Sequence, residues 1–247
     1  MDYERYAARH RAEHAGSMDM RGAATHISTD DMRTYVQRVY AWMVGGLLTT
    51  ALSAAAVASS ELMVAAIFGT PIRWVVLFAP LAMVWYLSAR IDRMKASTAI
   101  GLFMAYSMMN GLAFGPIFLV YELGSVATVF AITAGMFGLT AAFGYVTKRD
   151  LSGMGGFMTM GLFGIILAMF VNWFLGSPAL DFAISVIGVI VFTGLTAYDM
   201  QRIKEEHVLM YDGRSAATKG AIIGALRLYL DFINMFLFLL RLLGDRR

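Results

Sequence analysis

Long stretches without charge constrain this chain before anything else does. Between positions 39 and 240 its apolar residues gather into seven blocks. A helix needs ~20 residues to cross a hydrocarbon core of ~30 Å. Within that core only helices and closed barrels keep every backbone N–H and C=O paired. The blocks are continuous rather than alternating, so they do not read as barrel strands. The expected fold is therefore an all-α membrane protein, a bundle of seven transmembrane helices. Composition points the same way: 59% of the 247 residues are hydrophobic and only 15% are charged, which is not the balance of a soluble domain.

The spans are expected at 39–60, 74–89, 96–121, 123–147, 155–175, 182–198 and 220–240. The second has only 16 uncharged residues; it reaches full length by taking in Pro71 and letting Arg90 snorkel. Gly111 and Gly115 in the third span, and Gly135, Gly138 and Ala142 in the fourth, have the small-residue spacing of helix packing faces. Pro116 should loosen the end of the third span. Gly176-Ser177-Pro178 and Tyr211-Asp212-Gly213-Arg214 read as turns. Residues 1–37 are polar, with no apolar run, and are expected to be a mobile cytosolic tail beside a membrane domain of 38–247. The tail contains His10, Glu13 and His14 in an H-x-x-E-H pattern. With no third ligand or cleft nearby, it reads as a solvated segment rather than a zinc site. No internal repeat of the kind many transporters carry is visible.

The absence of cysteine excludes disulfides and thiolate chemistry. The 19 methionines lie mostly in apolar runs and read as packing. Basic residues sit at the ends of the blocks, which fits the positive-inside rule and not nucleic-acid binding. With the N-terminus in the cytosol, the inner segments hold fifteen Lys and Arg, whereas the outer loops hold Arg73 alone. Seven spans then leave the C-terminus outside, with Arg241, Arg246 and Arg247 against the rule; a last helix that does not fully cross is the other reading.

Two carboxylates interrupt this pattern. Asp199 ends the sixth block and Asp231 lies inside the seventh. A carboxylate in hydrocarbon costs ~2.5–3.5 kcal/mol on insertion scales, so it needs a partner and usually a task. On a helical wheel the last span carries one polar stripe, Gly220, Gly224, Arg227, Asp231, Asn234, Phe238 and Arg241, flanked by residues expected to face lipid. Such a stripe suits a central helix or one lining a path. If the last two helices form an antiparallel hairpin, Asp199 and Asp231 reach similar depth. In contact, both cannot be ionised cheaply, so the pair would titrate as a unit and bias a two-state packing of the closing helices. Arg227, Arg90 and Arg93 are candidate counter-ions. The plain alternatives are an Arg227–Asp231 pair along one helix and an ordinary polar helix end at Asp199.

At these residues the chain resembles the Bax inhibitor family of membrane proteins. Gly194-Leu195-Thr196-Ala197-Tyr198-Asp199-Met200-Gln201-Arg202-Ile203-Lys204 and Leu228-Tyr229-Leu230-Asp231-Phe232-Ile233-Asn234 are similar to its two signature segments. Residues 133–140 and 144–151 fit its bacterial branch, and the likeness runs from about Tyr35 to Gly244. The resemblance implies a seven-helix bundle with a central C-terminal helix. It also implies a cation leak, chiefly for calcium, gated by pH through paired aspartates at Asp199 and Asp231. A family arginine at the end of the second helix falls in Ala89-Arg90-Ile91-Asp92-Arg93-Met94-Lys95, where Arg90 or Arg93 could be the latch and Asp92 competes for it.

Calcium takes six to eight oxygen ligands; the two carboxylates with Asn234 and water could pass it transiently, and Asn110 is a second candidate contact along a path. Glu61, Glu122 and Asp181 are expected on the outer side, with Arg73 as their loop counter-charge, and His207, beside Glu205 and Glu206, reads as an exposed histidine of an inner loop, a residue type able to switch charge near neutral pH. No cofactor is expected beyond the permeating ion, and the partners are the bilayer, calcium and protons. The expected site of action is a bacterial inner membrane. Protonation should release an arginine latch, which favours opening in acid.

Two other functions compete. A membrane interaction protein that modulates a membrane-bound protease or a stress response suits the polar tail and the Gly-rich faces. An intramembrane aspartyl protease also pairs aspartates on its sixth and seventh helices, and Tyr198-Asp199 matches its first motif. Its second, Gly-x-Gly-Asp, is replaced by Leu228-Tyr229-Leu230-Asp231, so no enzymatic activity is expected.

Overall fold

The computed structural model describes residues 29–209 and 214–247. Among them the chain forms α1 (Thr29–Ala58), α2 (Glu61–Phe68), α3 (Ile72–Arg90), α4 (Ala96–Phe114), α5 (Ile117–Val120), α6 (Leu123–Val146), α7 (Ser152–Leu175), α8 (Pro178–Leu209) and α9 (Arg214–Leu243). A 3-10 turn, Ile91–Arg93, joins α3 to α4. Seven stretches among the described residues are long and apolar enough to cross a membrane: α1, α3, α4 continued by α5, α6, α7, α8 and α9. The His10, Glu13 and His14 pattern and the turn at 211–213 lie outside the described residues, as does the side chain of His207.

Local sequence explains the boundaries. Pro116 has no N–H to donate, and Gly115 N turns to Leu112 O at 3.4 Å, so the regular ladder of α4 stops at Phe114 and resumes as α5. Gly176 ends α7 in the left-handed conformation, φ 60°, and donates its N–H to Asn172 O at 2.7 Å. Asn172 Oδ1 then accepts from Ser177 N at 3.0 Å. Pro178 opens α8 at a position where a missing N–H costs nothing. Ser60 caps α2 by accepting from Met63 N. That short helix lies between the first two expected spans.

α9 is the axis. Of its membrane-crossing stretch 72% is buried, against 11% for α7, and it packs against α8, α1, α6 and α4. The flanks of its polar stripe, expected to meet lipid, are buried instead: Ile222, Leu228, Tyr229 and Met235 are all fully enclosed. Four other spans pack around α9 and enclose most of its surface. α8 also differs from expectation. It runs on to Leu209, so Asp199 lies inside a helix rather than at its end. The apolar run stops at Tyr198, but Arg202 and Glu206, four residues apart and bonded at 2.8 Å, carry the helix further. α1 likewise begins at Thr29, taking in the last residues of the expected tail.

Lipid is as apolar as leucine, so close packing rather than burial from water holds such helices together. Gly111 lies against the Thr50 backbone, closing α4 onto α1. Gly144 lies against the backbone carbonyl of Ala197, closing α6 onto α8. The expected packing face of Gly135, Gly138 and Ala142 is instead exposed, with open space around both glycines. α6 turns Val129, Thr133, Phe137, Ala141 and Gly144 inward. Small spacing alone does not say which face meets a helix; the larger apolar stripe decided it here.

At the far end the last residues fold back. Arg247 N donates to Val120 O at 3.0 Å and Glu122 N donates to Asp245 O at 3.0 Å. The C-terminus therefore lies at the α5–α6 connection, the end of the bundle opposite the start of α1. Arg241 reaches Asp181 at 3.6 Å, so the outer counter-charge of Asp181 comes from the last helix rather than from Arg73.

Candidate functional site

The antiparallel pair α8 and α9 brings Asp199 and Asp231 together. Their carboxyl groups lie within hydrogen-bonding reach of each other. Asp231 is 4% exposed, Asp199 is half-buried, and Asp231 Oδ2 has no protein partner. Ionised carboxylates offer only acceptors, so a bond between the two requires a proton on one of them. A contact of this kind holds a proton when closed and repels when the proton leaves.

Arg227, one turn before Asp231 on α9, donates Nη1 to Glu206 Oε2 at 2.8 Å. The Arg227–Asp231 pair considered from sequence is thus not the one made, although the field of Arg227 reaches both aspartates. Arg202 adds its charge near Asp199 and bonds the other oxygen of Glu206 at 2.8 Å. Buried Tyr35 of α1 stands beside this ion pair. A cavity of about 500 Å³ opens at this end of the bundle, lined by Asp92, Glu206, Lys219, Gly220, Arg227 and Leu230 among others. Lys219 Nζ donates to Asp92 O at 3.0 Å across its rim. Arg227 and Glu206 therefore face this vestibule on one side and neighbour the aspartates on the other.

The other candidates fall as follows. Arg90 ends α3 and Arg93 ends the 3-10 turn, both exposed near the vestibule rim. Asn234 is tied to its own helix, donating Nδ2 to Leu230 O at 2.8 Å. Asn110 lies away from the aspartates, beside Tyr106 and Tyr229, and its Nδ2 has no partner. There Thr50 Oγ1 meets the Tyr229 hydroxyl at 2.6 Å and Ser107 O at 2.9 Å, tying α1, α4 and α9. Among the described residues no cluster of three or more His, Asp or Glu could hold a metal ion.

Two residues that the sequence reading did not single out shape the site. Glu206 is one; four residues from Arg202, it has the spacing of a helix pair, but nothing local marks Arg227 as its second partner. Gln201 is the other. It is buried, accepts from Leu151 N through Oε1 at 2.8 Å and donates Nε2 to Arg149 O at 2.8 Å. It thus fastens α8, two residues past Asp199, to the α6–α7 connection. In that same connection Asp150 accepts from Ser152 N at 2.8 Å. The Ser152 hydroxyl and N–H hold its carboxyl below the usual carboxylate range.

Comparison with known proteins fits this arrangement. The family model described as inhibitor of apoptosis-promoting Bax1 matches residues 32–247. The chain is 48% identical over 219 residues to the inner membrane protein YbhL of Escherichia coli, covering 87% of this chain and 93% of that protein. It is 42% identical over 217 residues to a protein of Deinococcus radiodurans (88% and 93% covered). It is 39% identical over 214 residues to one of Borreliella burgdorferi (86% and 92% covered).

Proposed function

This chain belongs to the Bax inhibitor family, and from that premise we propose that it is a pH-regulated cation leak, with calcium as the permeating ion and Asp199 and Asp231 as its proton sensor. One observation carries the reading: two carboxyl groups in contact between the central helix and its neighbour, one of them fully enclosed and with an oxygen left unpartnered. A proton shared there lets α8 and α9 stay together; its loss or a second proton's arrival changes how they pack.

The vestibule gives ions and protons a polar approach from one side, and Arg227, held by Glu206, tunes the charge at its inner wall. Asn234 Oδ1 and water complete the oxygens a passing calcium ion needs. The lysine and arginine distribution supports a cytosolic N-terminus, which makes the vestibule cytosolic. The name of the Escherichia coli relative supports the inner membrane as the location.

The test is calcium flux in liposomes loaded with purified protein, measured from pH 5 to pH 8. Wild type should leak more as pH falls, and Asp199→Asn and Asp231→Asn should each flatten the curve. Wild-type-like curves in both variants, with both proteins folded, would remove the aspartates from the sensor.

A further inference from the structure

A second cavity, of about 390 Å³, opens in the other half of the bundle, between α1, α6 and the broken end of α4. Leu48 and Ala51 of α1, Phe118 of α5 and Phe130 of α6 wall it, and Ile233 and Phe236 of α9 form its base. Its one polar lining side chain is Thr50, whose hydroxyl is already engaged by Tyr229 and Ser107. Water entering here would find no partners, so the space suits only hydrocarbon. Left empty, its walls would forfeit their contacts on one side.

The crevice is continuous with the surface that the spans present to the bilayer. Leu48, Leu123 and Phe130, all at its edge, are 59%, 62% and 42% exposed. It lies beside the break at Gly115 and Pro116 between α4 and α5. The opening is short. It spans about two turns of α1 and of α6, residues 47–54 and 123–130, too little for a partner helix ~10–12 Å across that would need a groove along the bundle. Its size lies within the range of small-ligand sites.

We propose that this crevice binds one acyl chain of a bilayer phospholipid, taken from the leaflet on the side of the chain's C-terminus. The chain tip rests on Ile233 and Phe236. Lipid packing therefore bears directly on the helix that carries Asp231, and on the Thr50 that holds Tyr229. This site is separate from the vestibule and the paired aspartates, and does not depend on what they do.

The experiment uses the full chain in vesicles of phosphatidylethanolamine and phosphatidylglycerol doped with phosphatidylglycerol bearing a diazirine in its acyl chain. After irradiation, labelled peptides are mapped by mass spectrometry. Labelling of residues 47–54, 114–118 and 123–130 should exceed that of the exposed face of α7 by about fivefold or more, a preference that one or two buried methylenes suffice to give. In Ala51→Phe with Ala127→Phe, which fill the mouth, that excess should vanish while labelling of α7 stays. Because the wild-type map needs no variant, misfolding of the filled protein does not remove the test. Uniform labelling of all lipid-facing helices would overturn the proposal, as would crosslinks that join two protein chains through this face.

Discussion

Glu206 and Arg227 meet at 2.8 Å across α8 and α9, two turns beyond Asp199 and one turn before Asp231. Glu206 spends its other oxygen on Arg202, also at 2.8 Å. One acid thus pairs with both guanidinium groups that stand near Asp199. Both members of the Glu206–Arg227 pair are about one-quarter exposed, so the contact is neither a screened surface pair nor a dry one.

That geometry predicts opposite effects from its two ends. Glu206→Gln releases Arg227 toward the paired aspartates, and a nearby cation favours their ionised forms. The pH midpoint of calcium flux should then move toward acid by ~1 unit. Arg227→Gln removes the cation and should move the midpoint toward alkaline pH by a similar amount. Each variant should lose about 1–2 kcal/mol of stability, between the values of exposed and buried pairs. Flux titrations of the two variants side by side check this; shifts in the same direction would show that Arg227 does not act on the aspartates.

The spans, their number and the two aspartates were legible from the sequence because hydrocarbon tolerates so few charged residues that each one stands out. Asp199 and Asp231 announced themselves by sitting in apolar surroundings. Glu206 and Gln201 did not, since both lie past the end of an apolar block, where polar residues are ordinary. The tie from Gln201 to Leu151 joins positions fifty residues apart, and no periodicity encodes a bond of that kind. The inward face of α6 was misread because Gly135, Gly138 and Ala142 have the right spacing but the wrong phase against Val129, Thr133 and Phe137.

Asp150 supplies a control for the pH work. Its carboxyl titrates below the ordinary value of 3.8 because Ser152 bonds its ionised form. A depressed folded-state value gives stability that is present above the unfolded value and lost as pH falls through the folded one. The transition therefore lies below about pH 5, outside the range in which flux is to be measured. Asp150→Asn should leave the shape of the flux curve between pH 5 and pH 8 unchanged, and its stability deficit in circular dichroism melts should be constant across that range and vanish only below it. A flattened flux curve in this variant would mean that the α6–α7 connection takes part in sensing.

Gln201 predicts a loss of stability that exceeds its size. Replacing it with Leu keeps the volume but strands Leu151 N–H and Arg149 C=O, both now without the side chain that satisfies them. Leu151 is buried whereas Arg149 is exposed; one unmet buried polar group costs ~1–3 kcal/mol, so Gln201→Leu should destabilise by about 1–3 kcal/mol. Thermal unfolding in detergent reads this directly. The pH midpoint of flux should become broader rather than shift, because α8 loses its anchor near Asp199 without any change of charge. An unaltered melting temperature would show that the connection finds other partners.

The two kinds of glycine in α6 give the sharpest packing test. A methyl group at Gly144 would land on the backbone carbonyl of Ala197, two residues before Asp199, and backbone cannot step aside as a flexible side chain can. Gly144→Ala should therefore push α8 from α6 and cost ~1–3 kcal/mol, the usual penalty of overpacking. At Gly138 the same methyl group meets nothing within 4 Å. Gly138→Ala should stabilise the helix by ~0.5–1 kcal/mol through reduced freedom of the unfolded chain. Circular dichroism melts of the two alanine variants in one detergent should thus move in opposite directions from wild type. Equal shifts would mean that the α6–α8 contact is looser than the Gly144–Ala197 approach requires, and that Asp199 is not held at its depth by this packing.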